Sequence, residues 1–402
     1  MSSVIVPTTL AHLEQLFSAA FGPSDAPAVA AYAPGRSEIA GNHTDHEGGR
    51  VIACALDVAA HAIARPRTDT LVRVTSEGYP AFELDLVSTD AREDERGTTA
   101  SLVRGMAHEI AAATGISPRG FDLAMCCDIP SGGGLSSSAA VEALLGRTIE
   151  ALWGAQAAEP VALAQMCQRT ENAYYGKPCG LMDQAAVCLG GLALMDFANA
   201  HEPDTKKLDL AFEDFGYALV LVKVGADHAA STADYAAIPG EMQAIAARLG
   251  HERLCEVSRA DFDAALPALR REFGDRAVLR CIHYWHEDEL VERRWRALNI
   301  GDVAAFLELT RESGASSAMY LQNVAADLGH EQPAMFALGA AEHLLEGDGA
   351  VRIHGGGFGG TIQAFVPLEQ LDAFCAQMDA WLGERSCRRY VVSGEGASAA
   401  WL

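Results

Sequence analysis

The chain has 402 residues, and its 30 Lys and Arg against 54 Asp and Glu give a formal net charge of −24. Half of the residues are hydrophobic and 21% are charged, which excludes a disordered or collagen-like polymer and predicts ample core for two or three folding units of about 150 residues. So acidic a surface argues against general nucleic-acid binding, which needs clustered Lys and Arg, but leaves room for a locally positive pocket that takes a small anion.

The first ten residues lack a basic n-region and a long apolar h-region, so no signal peptide is expected. Residues 10–20 place apolar side chains three and four apart and predict an amphipathic helix. The apolar run 51–64 contains Asp57 and His61 and is too short for a membrane helix, which needs about 20 apolar residues. Residues 71–75 and 81–86 alternate and predict strands around a Gly-Tyr-Pro turn. A strand at 121–125 leads into a glycine-rich loop. After it comes a helix with Val141, Leu144, Leu145, Thr148 and Leu152 on one face, and then a helix over 161–175 closed by Gly176 and Pro178. A buried strand is expected at 217–224, mostly helix from 230 to 345, and a strand pair at 351–354 and 361–366. Strands and helices mix without regular alternation, so the expected class is α+β, with a boundary in the polar stretch 199–207. The ten cysteines are scattered and form no CxxC pair, which fits free thiols in a reducing cytoplasm better than disulfides or a zinc site.

Four segments carry chemistry. In Pro130-Ser-Gly-Gly-Gly-Leu-Ser-Ser-Ser-Ala-Ala140, three glycines allow close backbone approach. The serines then open a helix whose unpaired amides and positive dipole end suit a phosphate. No Lys follows, so this is not the P-loop pattern; the alternative is a glycine turn with a Ser cap. The segment from Ala33 to Gly49 gathers Arg36, Asn42, His43, Asp45 and His46 in what reads as a polar loop with four glycines. Arg36 suits phosphoryl charge, and Asn42, His43 and Asp45 suit the hydroxyls of a polyol. A metal held by His43, Asp45 and His46 is an alternative on residue type. In the third segment, from Glu171 to Gln184, Glu171 and Asp183 supply two carboxylates, one for a metal and the other to accept a proton or orient a hydroxyl. The fourth, His354 to Gly360, is a tight turn or a second backbone wall against a phosphate. His283, His286 and Glu287 lie in a charged helix that ends in Arg293-Arg-Trp-Arg, and read as a structural face.

Taken in order, the four segments resemble the GHMP small-molecule kinases. The Gly-x-His-Thr-Asp and Pro-Cys-Gly-x-Met-Asp-Gln strings are similar to the galactokinase branch. The resemblance implies a two-lobed α+β GHMP kinase fold with the active site between an N-terminal lobe, 1–200, and a C-terminal lobe, 208–402. It implies an ATP- and Mg2+-dependent sugar 1-kinase acting on galactose in the cytoplasm, as a monomer with no nucleic-acid or membrane partner. A kinase for galacturonic acid or N-acetylgalactosamine is one alternative, and a catalytically silent galactose sensor is another. By resemblance, Asp183 faces the reacting hydroxyl and Arg36 stabilises the transferring phosphoryl. Asn42, His43, Asp45, Gly180 and Tyr235 line the sugar with Asp183. Gly132, Gly133, Gly134, Leu135, Ser136, Ser137 and Ser138 wrap the ATP phosphates, and Ser138 and Glu171 hold magnesium. The sequence departs from the pattern in three places: Asn42 stands where Glu is usual, His46 where Tyr is usual, and residues 98–102 where an adenine-binding Trp is usual.

Overall fold

The computed structural model describes residues 5–130, 134–199, 201–225, 232–325, 330–358 and 360–402. Helix α1 (Pro7–Phe21) starts on a Pro, which costs no hydrogen bond in a first turn, and buries Leu13 and Phe17. Strand β1 (Val29–Ala40) is buried at eleven of its twelve positions. It pairs antiparallel with β2 (Arg50–Pro66), whose apolar run is a long strand. β2 has two partners in succession: 50–54 pair with β6 (Leu192–Asp196) and 60–66 with β5 (Phe121–Cys127). Burial on both faces explains why β2 reads as continuously apolar rather than alternating.

The first sheet runs β12-β1-β2-β5-β3-β4, where β3 is Leu71–Ser76, β4 is Tyr79–Asp85 and β12 is Ser398–Trp401. β6 joins it through β2, and β7 (Asp204–Leu208) through β6. The polar stretch near 200 is thus followed by a strand of this sheet, and the chain's last strand returns to β1. Helices α2 (Thr99–Thr114), α3 (Ser137–Trp153), α4 (Pro160–Thr170) and α5 (Met182–Leu189) pack together beside it. α3 contacts both β1 and β2, and thirteen of its seventeen residues are buried, while its first residues, Ser137 and Ser138, are half-buried.

The second sheet runs β11-β8-β10-β9, with β8 at Tyr217–Lys223, β9 at Ala350–Ile353, β10 at Thr361–Pro367 and β11 at Cys387–Tyr390. Around it lie α6 (Thr232–Arg248), α7 (Arg259–Ile300), α8 (Val303–Ser316), α9 (Pro333–Leu345) and α10 (Leu371–Leu382). α7 breaks at Gly274, where φ is 85°. Its second half contacts β1 and β2, bringing helix side chains of the second half of the chain beneath the segment that carries Arg36 to Gly49. Among the described residues no helix is long and apolar enough to cross a membrane.

Candidate active site

The segment read from sequence as a loop is half strand. Ala33 to Ala40 continue β1, and only Gly41 to Gly49 form a turn. β1 carries Arg36 and Glu38 into a pocket, and the turn adds His43, Asp45 and His46. His43 has φ 61°, a left-handed backbone that a non-glycine residue adopts at a cost, and that the surrounding contacts enforce. Its Nε2 meets the Gly356 carbonyl at 3.1 Å, and its ring lies 5.2 Å from that of Tyr235. Burial first, and then neighbouring His46, lowers its pKa to about 3, so the imidazole is neutral at ordinary pH.

Asp183 is the second residue of α5 and faces the same pocket. Its Oδ1 accepts from Arg36 Nε and Nη2, both at 2.7 Å, and its Oδ2 accepts from the Ser136 hydroxyl. Burial pushes this carboxyl up, but Arg36, Ser136 and Lys177 more than offset that and hold it below the ordinary carboxylate range. Arg36 also donates through Nη1 to the Gly134 carbonyl, and its backbone amide bonds the Leu135 carbonyl at 3.2 Å. One guanidinium therefore ties the glycine-rich loop to the pocket carboxylate. Ser136 has φ 55° and gives its hydroxyl to Asp183, so α3 starts with no side-chain cap on its amides. Gly134, Leu135, Ser136, Ser137 and Ser138 sit at that helix entry, whereas Gly132 and Gly133 lie outside the described residues.

Glu171 opens a π-type turn (Glu171–Tyr175) that prolongs α4. Its Oε1 accepts from Ser138 Oγ at 3.2 Å and faces Lys177 Nζ at 3.4 Å; its Oε2 accepts from Gln184 at 2.7 Å. Glu142, one turn along α3 from Ser138, lies behind it; burial, and then Glu171, push its carboxyl well up. A Cβ at Gly180 would run into the Asp45 carboxylate, so a larger residue would have to push that side chain aside. A Cβ at Gly356 would meet the Tyr235 ring in the same way. No three His, Cys, Asp or Glu among the described residues, His43, Asp45 and His46 included, converge as a metal site.

Asn42 is the sequence-assigned sugar residue that the fold turns away. It is fully buried and is not among the pocket's walls. Its Nδ2 donates to the Gly355 carbonyl at 2.6 Å, and its Oδ1 accepts from Asn323 at 2.7 Å and Ser317 at 3.2 Å. Sequence reasoning gave no role to Glu38 and Lys177, which line the pocket; Gly355 and Gly356, from the fourth segment, line it as well. The structural face read on α7 is borne out for His283 and Glu287. His283 meets the Asn42 carbonyl at 3.0 Å, and Glu287 accepts from the Gly41 amide at 3.0 Å, so this charged face supports the turn from beneath.

A helix entry facing a carboxylate that an arginine clamps to the same loop is the layout of a phosphoryl-transfer site. The GHMP kinases N terminal domain model matches residues 101–191, and the galactokinase galactose-binding signature matches residues 15–66. The chain is 33% identical to the galactokinase of Streptomyces coelicolor over 345 residues, 85% of each chain. It is 28% identical to that of Bacillus subtilis over 396 residues, 96% of this chain and 97% of the relative. The crystal structure of Lactococcus lactis galactokinase complexed with galactose superposes with a TM-score of 0.83 at 26% identity, over 97% of this chain and 99% of the other. Methanococcus jannaschii mevalonate kinase shares the fold at a TM-score of 0.65 and 14% identity, over 93% and 100%. The fold is that of the GHMP kinases, and within them the chain belongs to the galactokinase family.

Proposed function

We propose that this protein transfers the γ-phosphoryl group of ATP to the anomeric hydroxyl of D-galactose, giving galactose 1-phosphate and ADP. The observation that carries the reading is the Arg36 clamp, in which one guanidinium joins Asp183 to the carbonyl of Gly134 in the phosphate loop. Phosphoryl transfer depends on positioning and charge neutralisation more than on covalent chemistry, and the clamp supplies both.

In this reading the sugar lies between His43, Asp45, Gly180 and Tyr235, with its reacting hydroxyl on Asp183. Asp183 stays ionised at neutral pH. It orients the hydroxyl and takes its proton as the oxygen bonds to phosphorus and the bond to the ADP oxygen breaks. Arg36 faces the charge that develops on the transferred group. The amides at the start of α3, from Gly134 to Ser138, bind the phosphates; Gly132 and Gly133 are assigned to the same loop from sequence. Ser138 and Glu171, hard oxygen donors 3.2 Å apart, fit Mg2+ and would hold it. When bound, Mg2+ would neutralise phosphate charge. The two lobes assigned from sequence, 1–200 and 208–402, supply Asp183 and Tyr235 respectively. A cytoplasmic monomer is part of the proposal.

The test is a panel of hexoses with ATP and Mg2+, read as ADP release. Galactose is expected to give the highest kcat/KM. Turnover of another hexose with none of galactose would overturn the substrate assignment.

A further inference from the structure

Asn42 is not among the pocket's walls, whereas Glu38, four residues earlier on β1, is. Glu38 lines the pocket with Arg36, His43 and Asp183, and its side chain is otherwise buried. Its Oε1 accepts from Arg352 Nη2 at 2.6 Å and from Asn42 Nδ2 at 3.4 Å. Arg352 is itself fully buried and also donates through Nη1 to the Ile39 carbonyl at 3.2 Å. The Glu38 carbonyl is fixed by Gln363 at 2.8 Å. A buried ion pair seldom returns its desolvation cost in stability. This one faces the pocket, where a carboxylate held on a rigid strand is an oriented acceptor. Burial raises this carboxyl and Arg352, with Arg36, opposes that; in its ionised form it only accepts, so its complement is a hydroxyl that donates, and a deoxy carbon, an ether or a second carboxylate cannot serve.

We propose that Glu38, clamped by Arg352, accepts a hydrogen bond from one hydroxyl of the bound sugar and so selects hexoses that carry a free hydroxyl at that carbon. The inference rests on the sugar-kinase reading of the pocket and adds a specificity determinant to it. It also moves the selecting group from Asn42 to Glu38.

The experiment compares galactose with its 2-, 3-, 4- and 6-deoxy forms and with galacturonate, using ATP and Mg2+, in the unaltered protein, in Glu38→Gln and in the charge-balanced double variant Glu38→Gln with Arg352→Gln. The unaltered protein should penalise one deoxy sugar by about 10- to 100-fold in kcat/KM. In the variants that penalty should shrink by about 10-fold, while the ratios for the other deoxy sugars stay as they were. A uniform loss over all sugars, or unchanged ratios, would overturn the role of Glu38 and leave the kinase reading standing. Turnover of no sugar by the unaltered protein would overturn both. A crystal of the unaltered chain with galactose decides independently of how the variants fold: a sugar hydroxyl within hydrogen-bond reach of Glu38 supports the inference, and an intervening gap overturns it.

Discussion

Arg36 holds Asp183 by a single oxygen, with Nε and Nη2 both 2.7 Å from Oδ1, which leaves Oδ2 to the Ser136 hydroxyl and the open side of the pocket. The carboxylate is therefore fixed in position and in charge before a substrate arrives. Asp183→Asn keeps the shape and removes the charge and the base. It should lower kcat by about 10²- to 10⁴-fold while the dissociation constant for galactose changes little. Stopped-flow turnover together with calorimetric sugar binding checks both parts. A folded variant with more than about a tenth of the original kcat would contradict the role.

Glu171→Ala removes one of the two oxygens assigned to magnesium. The Mg2+ concentration for half-maximal rate should rise several-fold, with sugar binding unaffected. An unchanged magnesium titration would return Glu171 to a purely structural role with Gln184.

Lys177 shares Glu171 Oε1 with Ser138, its ammonium standing 3.4 Å from that oxygen. Lys177→Met should weaken ATP binding about 10-fold by removing a positive charge from the phosphate side, measured by nucleotide titration without sugar. Galactose binding should stay the same. Equal loss of both affinities would point to a folding defect.

The sequence showed the four chemical segments and most of the regular elements, because each has its own local signature: periodicity in α1 and α3, alternation in β3, glycine before serine at the phosphate loop. What it hid is which way side chains point. Asn42 and Glu38 lie four apart on one polar stretch, and nothing local says that Asn323, Ser317 and Gly355 draw Asn42 inward while Arg352 leaves Glu38 at the pocket. Those partners come from about 280 to 315 residues away in the chain. The structural face of His283 and Glu287 was legible but not its direction: a charged helix face usually meets water, and this one meets the backbone of the turn from Gly41 to Gly49. Ala33 to Ala40 passed for a loop because Pro34, Gly35 and Arg36 interrupt the strand pattern, and the pairing with β2 shifts register between Pro34 and Arg36.

Asn42→Asp tests the inward placement. The change swaps a donor for an acceptor against the Gly355 carbonyl and the Glu38 carboxylate, so two acceptors face a third. The cost should be about 2–4 kcal/mol in urea unfolding. A loss below about 0.5 kcal/mol would mean that Asn42 faces the pocket after all.

Glu47 gives the stability a pH signature. Burial raises its carboxyl to about 8, against the Leu254 amide and Arg253, which lower it. A raised acid contributes stability that is whole below its unfolded pKa, near 4.5, and is lost as pH rises through about 8. Between pH 6 and 9 the protein should lose on the order of 1–3 kcal/mol, and Glu47→Gln should flatten that slope. His43, lowered to about 3, acts on the other side: its share is present above pH 6.5 and lost as the pH falls below it. Denaturant midpoints at pH 5, 7 and 9 separate the two, and an unchanged alkaline slope in Glu47→Gln would contradict the assignment.

The central claim is that Asp183 and Arg36 direct phosphoryl transfer from ATP to the anomeric oxygen of galactose. Phosphorus NMR of the product, with the coupling between phosphorus and the anomeric proton resolved, reads this directly. The account predicts one new phosphomonoester signal coupled to H1, formed together with ADP and absent in Asp183→Asn. A signal coupled to any other sugar proton, or ADP and inorganic phosphate with no sugar phosphate, would contradict it.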